Sequence, residues 1–483
     1  MNALSGRKLV ILAVALLLVV AAGISFFRRD VPVTYATIAE QFKYGSIGSD
    51  VTPITDPGGL GVPYYIWLVL PKVFPDLLPQ NRTGDGYEKL GFIYEPGQDR
   101  PIGVSKREKP LAIVGLNCAA CHTGTVRDGS GSVKQVMLGM PAHQLDLQAY
   151  QRFLFAAGKD ARFTPDVLIP AMKQASAEFS LFDELAYRFF VIGTARDGLL
   201  EQAARSSWFE GRPDQGPGRV DTFNPYQVLL GFDLSKDTSI GTADLPSLWL
   251  QGQREGLWLH WDGNNNSVDE RNKSAGIGAG STPDSLDVPA LNRIAAWIRD
   301  LKPPAFPETR INQALAQRGR AVYQANCMAC HSFGQPQVGQ TVPQAIIGTD
   351  PERLNSFTPE IAEKMLTIGE GKPWQFKHFR KTDGYANMPL DGIWLRAPYL
   401  HNGSVPTLRD LLKPEAQRPK AFHRGYDVYD YDNLGFVSSG AEAERTGVRY
   451  DTSLRGNSNA GHTYGVALSD DDKSALLEYL KTE

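Results

Sequence analysis

Two short runs in this 483-residue chain put thiols and an imidazole at a spacing that does chemistry: Cys118-Ala119-Ala120-Cys121-His122 and Cys327-Met328-Ala329-Cys330-His331. Each reads C-x-x-C-H, the pattern of covalent c-type haem attachment. Two thiols three positions apart can add across the two vinyl groups along one porphyrin edge. The following residue then falls beneath the iron, where its imidazole serves as the proximal ligand. The chain contains four cysteines, and the two boxes use all of them, leaving none for a disulfide. A redox dithiol or a zinc site accounts for a C-x-x-C but does not require histidine after the second cysteine in both copies. The expected cofactors are therefore two covalently bound haem c groups, held by Cys118, Cys121, Cys327 and Cys330, with iron ligands His122 and His331.

The remaining six histidines are His143, His260, His378, His401, His423 and His462. By sequence setting, three residues compete for the far side of the second haem. Met388 precedes Pro389, His401 lies in Pro398-Tyr399-Leu400-His401-Asn402-Gly403-Ser404, and His462 lies in Gly461-His462-Thr463-Tyr464-Gly465 just before the last helical pattern. For the first haem, His143, Met140 and Met137 are within reach by sequence, and an open iron is an equal alternative. The oxygen-rich run Asp262, Asn264, Asn266, Asp269 and Glu270 has the composition of a Ca²⁺ loop. It lacks the glycine and closing glutamate spacing of an EF-hand, and an Asn-rich capped turn accounts for it as well.

These residues need a scaffold. Helical patterns are predicted from about Pro141 to Ala157, Ser176 to Thr194, Asp287 to Leu301, Thr309 to Asn326, and after the N-cap Ser469 to Leu480. Residues 31 to 110 carry many turn signals and an aromatic patch at Tyr64-Tyr65-Ile66-Trp67, read as core packing. The passage Arg205–Pro225 is polar, Gly-rich and dense in turns, and a loop of that length is often functional. Lys302-Pro303-Pro304-Ala305-Phe306-Pro307 stops a helix and marks a domain boundary. The expected fold is mainly α with extensive loops: an N-terminal haem domain over 31–302, enlarged by insertions, and a cytochrome c domain over 308–483. In the latter, a helix entering the box and a terminal helix would cross closely at Gly319 and Tyr479.

The run Gly392-Ile-Trp-Leu-Arg-Ala-Pro-Tyr-Leu-His-Asn-Gly-Ser-Val-Pro-Thr-Leu408, with Gly461-His-Thr-Tyr-Gly465 and the closing helix, resembles the di-haem cytochrome c peroxidase superfamily. Within it, the chain is most similar to the rubber-oxygenase-like (RoxA-type) branch. The resemblance implies that the His401 segment passes near the haem without ligating it, and that His462 pairs with His331 as a bis-His set. It further implies that the Gly218–Pro225 loop lies on the distal side of the first haem, with Phe223 over the iron. Trp208 would then relay electrons between the haems. Arg219 and Arg271 are candidates for haem propionates, and Ca²⁺ between the haem domains is a further expectation. The acidic catalytic residue that the peroxidases keep near the open haem is not assigned to any residue by the resemblance.

Function follows as an expectation. The first haem would activate peroxide or O₂, with an apolar substrate in the O₂ case. The bis-His haem would take electrons from a small redox protein or a quinol-linked cytochrome. The alternative is a non-catalytic electron carrier with both irons six-coordinate. A net charge of −3 gives no footprint for nucleic acid. At the amino terminus, Arg7-Lys8 precede an apolar run from Leu9 to Phe27 closed by Arg28-Arg29. As a helix that run would extend about 28 Å, enough for a membrane anchor. A cleaved signal peptide is the competing reading of residues 1–30. Either one exports the rest to the periplasm.

Overall fold

A computed structural model describes residues 33–56, 59–108 and 111–483. The anchor or signal segment lies outside the described residues. Within them, no helix is long and apolar enough to cross a membrane.

The chain is largely helical, with short two- and three-stranded ribbons and long irregular connections. The largest part of the core is built from the N-terminal half. Residues 64–73, read from sequence as loop, form a helix (Tyr64–Val73) that buries Tyr65, Ile66, Trp67, Val69 and Leu70. Trp67 stacks on Tyr87 with ring centroids 4.4 Å apart and donates its indole N–H to the Tyr150 hydroxyl at 3.1 Å. Tyr150 belongs to the helix Leu147–Lys159, capped by Asp146. That helix starts later than its sequence pattern suggests, because Pro141–Gln144 are spent on a turn that reaches back to the first box. A helix also replaces the Ser176–Thr194 pattern, running from Leu181 through a π-turn at Tyr187–Val191 to Arg205. Its outer face leaves Leu181, Phe182, Phe189 and Phe190 exposed.

A second core lies in the C-terminal half, around Trp394, Leu395, Tyr399, Tyr429, Phe436 and Leu476. The Pro-rich segment 303–307 docks onto it. Trp394 donates to the Pro304 carbonyl at 3.0 Å, and Phe306 packs on Trp394 and Tyr431. Trp249, Val126 and Met140 from the N-terminal half also belong to this core.

The helices Gln313–Asn326 and Asp470–Leu480 cross directly in front of the second box. Asn312 and Ser469 cap them, each accepting a backbone N–H. At the crossing, a Cβ on Gly319 would overlap the Ala475 carbonyl and press on the Tyr479 side chain. Tyr323 and Tyr479 pack at 4.9 Å beside it. Backbone cannot yield as a side chain can, so Gly319→Val is expected to destabilise the chain by about 3 kcal/mol, at the upper end of overpacking costs. Equilibrium urea unfolding of the variant measures this, and a loss below about 0.5 kcal/mol, the range of surface substitutions, would contradict it.

Candidate functional site: two C-x-x-C-H boxes

The first box is a single helical turn, Cys118–Cys121. Asn117 sets it in place: its Oδ1 accepts from Ala119 N at 2.9 Å, and its Nδ2 donates to the carbonyls of Lys43 and Gly45. This side chain is buried and satisfied, so the turn is fixed from both ends. His122 follows with its Nδ1 at 2.8 Å from the Pro246 carbonyl. A carbonyl accepts only, so the proton sits on Nδ1 and the Nε2 lone pair is free, the arrangement of a metal-ligating histidine.

The second box repeats the device. The turn Met328–His331 follows the helix Gln313–Asn326, and His331 Nδ1 lies 2.7 Å from the Met388 carbonyl. Met388, weighed from sequence as a ligand, thus orients the proximal histidine through its backbone. Facing His331 is His462, with ring centroids 6.1 Å apart and planes tilted by 47°. That gap equals two metal–nitrogen bonds of ~2 Å plus two imidazole radii of about 1.1 Å. His462 Nδ1 is buried without a partner, and its backbone is held at φ 48°.

Arg418, which sequence did not single out, holds His462 in that strained position. It is 2% exposed and donates to the carbonyls of Asn459, Gly461, His462, Leu411 and Lys413. Gly461 packs against the Gly348–Thr349 backbone where no Cβ fits, and its N–H donates to Glu415 at 2.7 Å.

The thiols do not behave as a redox pair. None is in a disulfide. Burial pushes Cys118 and Cys327 up to about 11, and burial together with the neighbouring Cys118 pushes Cys121 up to about 12. Reactive dithiols carry a lowered pKa instead. Among the described residues, no group of three or more His, Cys, Asp or Glu is arranged to hold a metal ion. The residues of the expected Ca²⁺ loop are spent elsewhere. Asp262 pairs with Arg353 at 2.8 Å and Asp269 pairs with Lys273. Asn264 bonds His260, and Glu270 holds Asn265 together with the backbone N–H groups of Lys377 and His378. The run is a capped turn leading into the helix Val268–Gly278.

No second imidazole faces His122 among the described residues. His143 is within hydrogen-bond distance of the Thr125 carbonyl and stacks on Phe436 at 3.7 Å, and His260 bonds Asn264 at 2.5 Å. Burial, with the nearby Arg271 adding to it, presses both His122 and His260 toward the neutral form. The Arg271 guanidinium is half-buried, has no acidic partner among the described residues, and is itself pushed down to about 10 by burial. A cation partly withdrawn from water without a counter-charge is costly. A haem propionate would supply one, so the residues present fit the group.

Phe223 is buried in an apolar cluster with Ile277, Phe357, Met365, Phe376 and Phe379. Asp221 fixes its backbone by accepting the N–H groups of Phe223 and Asn224. The Arg353 guanidinium lies over its ring at 4.6 Å. Trp374 packs both on this cluster and on the one that includes Cys118. The segment 357–379 thus reaches from beyond the second box to the neighbourhood of the first. Arg219 is 2% exposed, lies over the Tyr450 ring at 4.9 Å, and has a buried Nε without a partner. Trp208 packs with Phe155 and Phe209 in a satellite cluster. Trp249 is fully buried in the C-terminal core. Its indole donates to Leu138 O at 3.0 Å and its ring lies against Gly139 and Gly392, neither of which leaves room for a Cβ.

One backbone device occurs twice. Leu259 bridges to Asn265 and Tyr399 to Val405, with a positive φ at His260 and Leu400 and a glycine at φ 61° and 63° three positions later. The sequence signal was present in Leu259-His260-Trp261-Asp262-Gly263 and Leu400-His401-Asn402-Gly403. By backbone, however, His260 matches Leu400, so the two histidines are not equivalent. His401 is buried on Tyr385 at 4.1 Å with no partner for Nε2, and burial together with Arg353 and Arg219 drives its pKa well down.

A family model described as RoxA-like, cytochrome c-like, matches residues 384–423. That region is cytochrome c-like, which implies covalent haem c. The chain is 25% identical over 509 residues to the uncharacterized protein y4iJ of Sinorhizobium fredii, covering 82% of this chain and 81% of that protein. It is 30% identical over 284 residues to the uncharacterized protein y4iM of the same organism, covering 50% of this chain and 64% of that one.

Proposed function

We propose that this chain is a di-haem c-type oxidoreductase of the di-haem cytochrome c peroxidase superfamily, close to its RoxA-type branch, and that it works outside the cytoplasm. The observation that carries the reading is the asymmetry of the two boxes. His331 faces His462 across 6.1 Å, whereas His122 faces no second imidazole among the described residues. A haem iron with one open face can activate peroxide or O₂, and one closed by two histidines is suited to passing electrons.

The chain's own residues divide that work. Pro246 O and Met388 O fix the proton on Nδ1 of each proximal histidine, so that Nε2 is the donor in both. Arg418 closes the second site by holding the His462 loop down. At the first site, Phe223, Phe357, Phe376 and Phe379 exclude water and offer an apolar surface, with the Arg353–Asp262 pair as the charged group against it. This aromatic surface suits O₂ chemistry on an apolar substrate, whereas peroxide cleavage calls for a positioned acid or base, for which His260, 6.2 Å from the Phe379 ring, is the candidate at hand. Electrons enter from a small donor protein or quinol-linked cytochrome. Exposed Ile346 and Tyr464 beside His462 give such a donor an apolar rim to rest on.

The test is the resting electronic state, followed by turnover. One high-spin and one low-spin ferric signal are expected, with oxygen uptake on polyisoprene exceeding peroxidase turnover with hydrogen peroxide and a reducing donor. Two low-spin signals without reactivity toward either oxidant would make the chain an electron carrier instead.

A further inference from the structure

The two proximal histidines are joined by an unbroken chain of covalent and hydrogen bonds through the protein. From His122 it passes to the Pro246 carbonyl. Three peptide units along, the Trp249 carbonyl accepts from Arg254 Nη1 at 2.6 Å. Arg254 Nη2 meets Asp391 Oδ1 at 2.5 Å, and the same oxygen takes Arg396 Nη2 at 2.8 Å. Arg396 also donates to the Asp391 carbonyl, and through Nη1 to the Pro389 carbonyl at 2.7 Å. Pro389 follows Met388, whose carbonyl holds His331. Arg254 additionally lies over the ring of Phe333, two residues past His331, at 5.3 Å.

Three features set this apart from ordinary packing. The side chains of Arg254, Asp391 and Arg396 are 11%, 7% and 14% exposed, so two guanidiniums share one carboxylate out of water. A buried cluster with one surplus charge is hard to justify on stability alone. The outer ligands of metal-bound histidines tune the metal they serve, and here the outer ligands of two histidines belong to one network. Arg254 comes from the N-terminal half, and Asp391 and Arg396 come from the RoxA-like region, so the network exists only when both halves are assembled.

We infer that Arg254, through Asp391 and Arg396, is the route and the coupling element for electrons between the two haem sites, on their proximal sides. The inference rests on the di-haem reading above. The step moves one electron and no atom: the second haem is oxidised by one electron as the first is reduced by one. No proton accompanies it, because the guanidiniums hold theirs at any working pH. Coupling travels through contiguous networks that both sites touch, and this network touches both histidines. Arg254 and Asp391 are therefore positioning residues acting through Pro246 and Met388. The indole of Trp249 crosses the same space, but only its carbonyl is in the bonded path.

The experiment uses the full holoprotein. Haem content per chain comes first, by pyridine haemochrome, and a single haem would overturn the di-haem reading itself. With two haems present, a light-triggered one-electron pulse reads the rate at which the electron equilibrates between them, and spectroelectrochemistry reads both midpoint potentials. In Arg254→Gln and Asp391→Asn the rate is expected to fall by roughly 10- to 100-fold, the range by which outer-shell partners act, with both potentials displaced. Trp249→Phe, which keeps the carbonyl, lowers the rate less than either of these variants. Arg254→Lys serves if the glutamine variant does not fold, since an ammonium lacks the planar fork that reaches Trp249 O through Nη1 and Asp391 through Nη2, and its rate falls in the same direction. Unchanged rates in Arg254→Lys and Asp391→Asn, or a collapse in Trp249→Phe alone, would overturn the inference.

Discussion

His462→Ala is expected to convert the second haem from low-spin to high-spin ferric and to leave the first haem's spectrum unchanged. His462 stands on a loop whose shape does not depend on its ring. Arg418 holds the carbonyls of Asn459, Gly461 and His462, and Gly461 sits against Thr349 whatever side chain follows. Removing the imidazole thus leaves a ring-sized gap opposite His331 instead of a collapsed site. The stability cost should stay under about 2 kcal/mol, within the ordinary range for a single substitution. Added imidazole should enter the gap and restore the low-spin signal. Electron paramagnetic resonance before and after imidazole makes the measurement. A low-spin signal that survives in the variant would hand the ligand role to another residue, with Met388 first in line by position. Arg418→Ala makes the complementary case: the ring remains but its loop is released, so a mixture of spin states is expected instead of complete conversion.

The sequence carried the chemistry of the two boxes more fully than their surroundings, and the reason is range. C-x-x-C-H is a local pattern, and the crossing at Gly319 was legible because a glycine, a capped helix and a facing Tyr479 all carry local signals. The helix Tyr64–Val73 is hidden in sequence by the turn signals on both sides of it and by its own prolines. Pro63 lies outside its start, and Pro71 sits in its last turn, where the chain tolerates the kink. Trp208 stands out in sequence through its place in a Gly-rich passage, whereas Trp249, inside an unremarkable Leu-Trp-Leu run, packs against Gly139 and Gly392 from both halves of the chain. No spacing rule ties residue 249 to residues 139 and 392. Arg418 and the segment 357–379 were invisible for the same reason. Their partners are carbonyls and rings brought near only by the finished fold.

That fold also shows where the two halves are fastened. Segment 357–379 lends Phe357, Phe376 and Phe379 to the Phe223 cluster, and Glu270 ties it back to the helix Val268–Gly278. Arg424 fastens the other side, in the strand Ala421–Arg424 that pairs with Val448–Asp451. It is 2% exposed and donates to Pro217 O at 3.0 Å, to Gly403 O at 2.7 Å and to Asp244. Pro217 opens the loop that carries Arg219 and Phe223. Gly403 closes the His401 turn, and Asp244 pairs in register with Arg219. One guanidinium therefore ties two segments of the N-terminal half, at Pro217 and Asp244, to the His401 turn of the C-terminal half.

Arg424→Met should accordingly be the most damaging single change outside the boxes. It leaves the Asp244 carboxylate buried without its counter-ion, and breaking such a pair costs about 3–5 kcal/mol. For a chain of this size the melting point should drop by about 3–5 °C. Activity at the first haem should fall further than stability does, because the Phe223 loop loses its anchor at Pro217, while the His331/His462 spectrum persists. The double variant Arg424→Met/Asp244→Leu discriminates between a lost attraction and a stranded charge. If the stranded carboxylate dominates, removing it recovers most of the stability, since apolar pairs replace buried ion pairs well. The loop's hydrogen bond stays lost, so oxidant reactivity at the first haem should remain low even where stability returns. Calorimetry and the high-spin signal, measured on both variants, separate the two effects. Equal stability for Arg424→Met and the parent would show that the contact is not what holds the halves together.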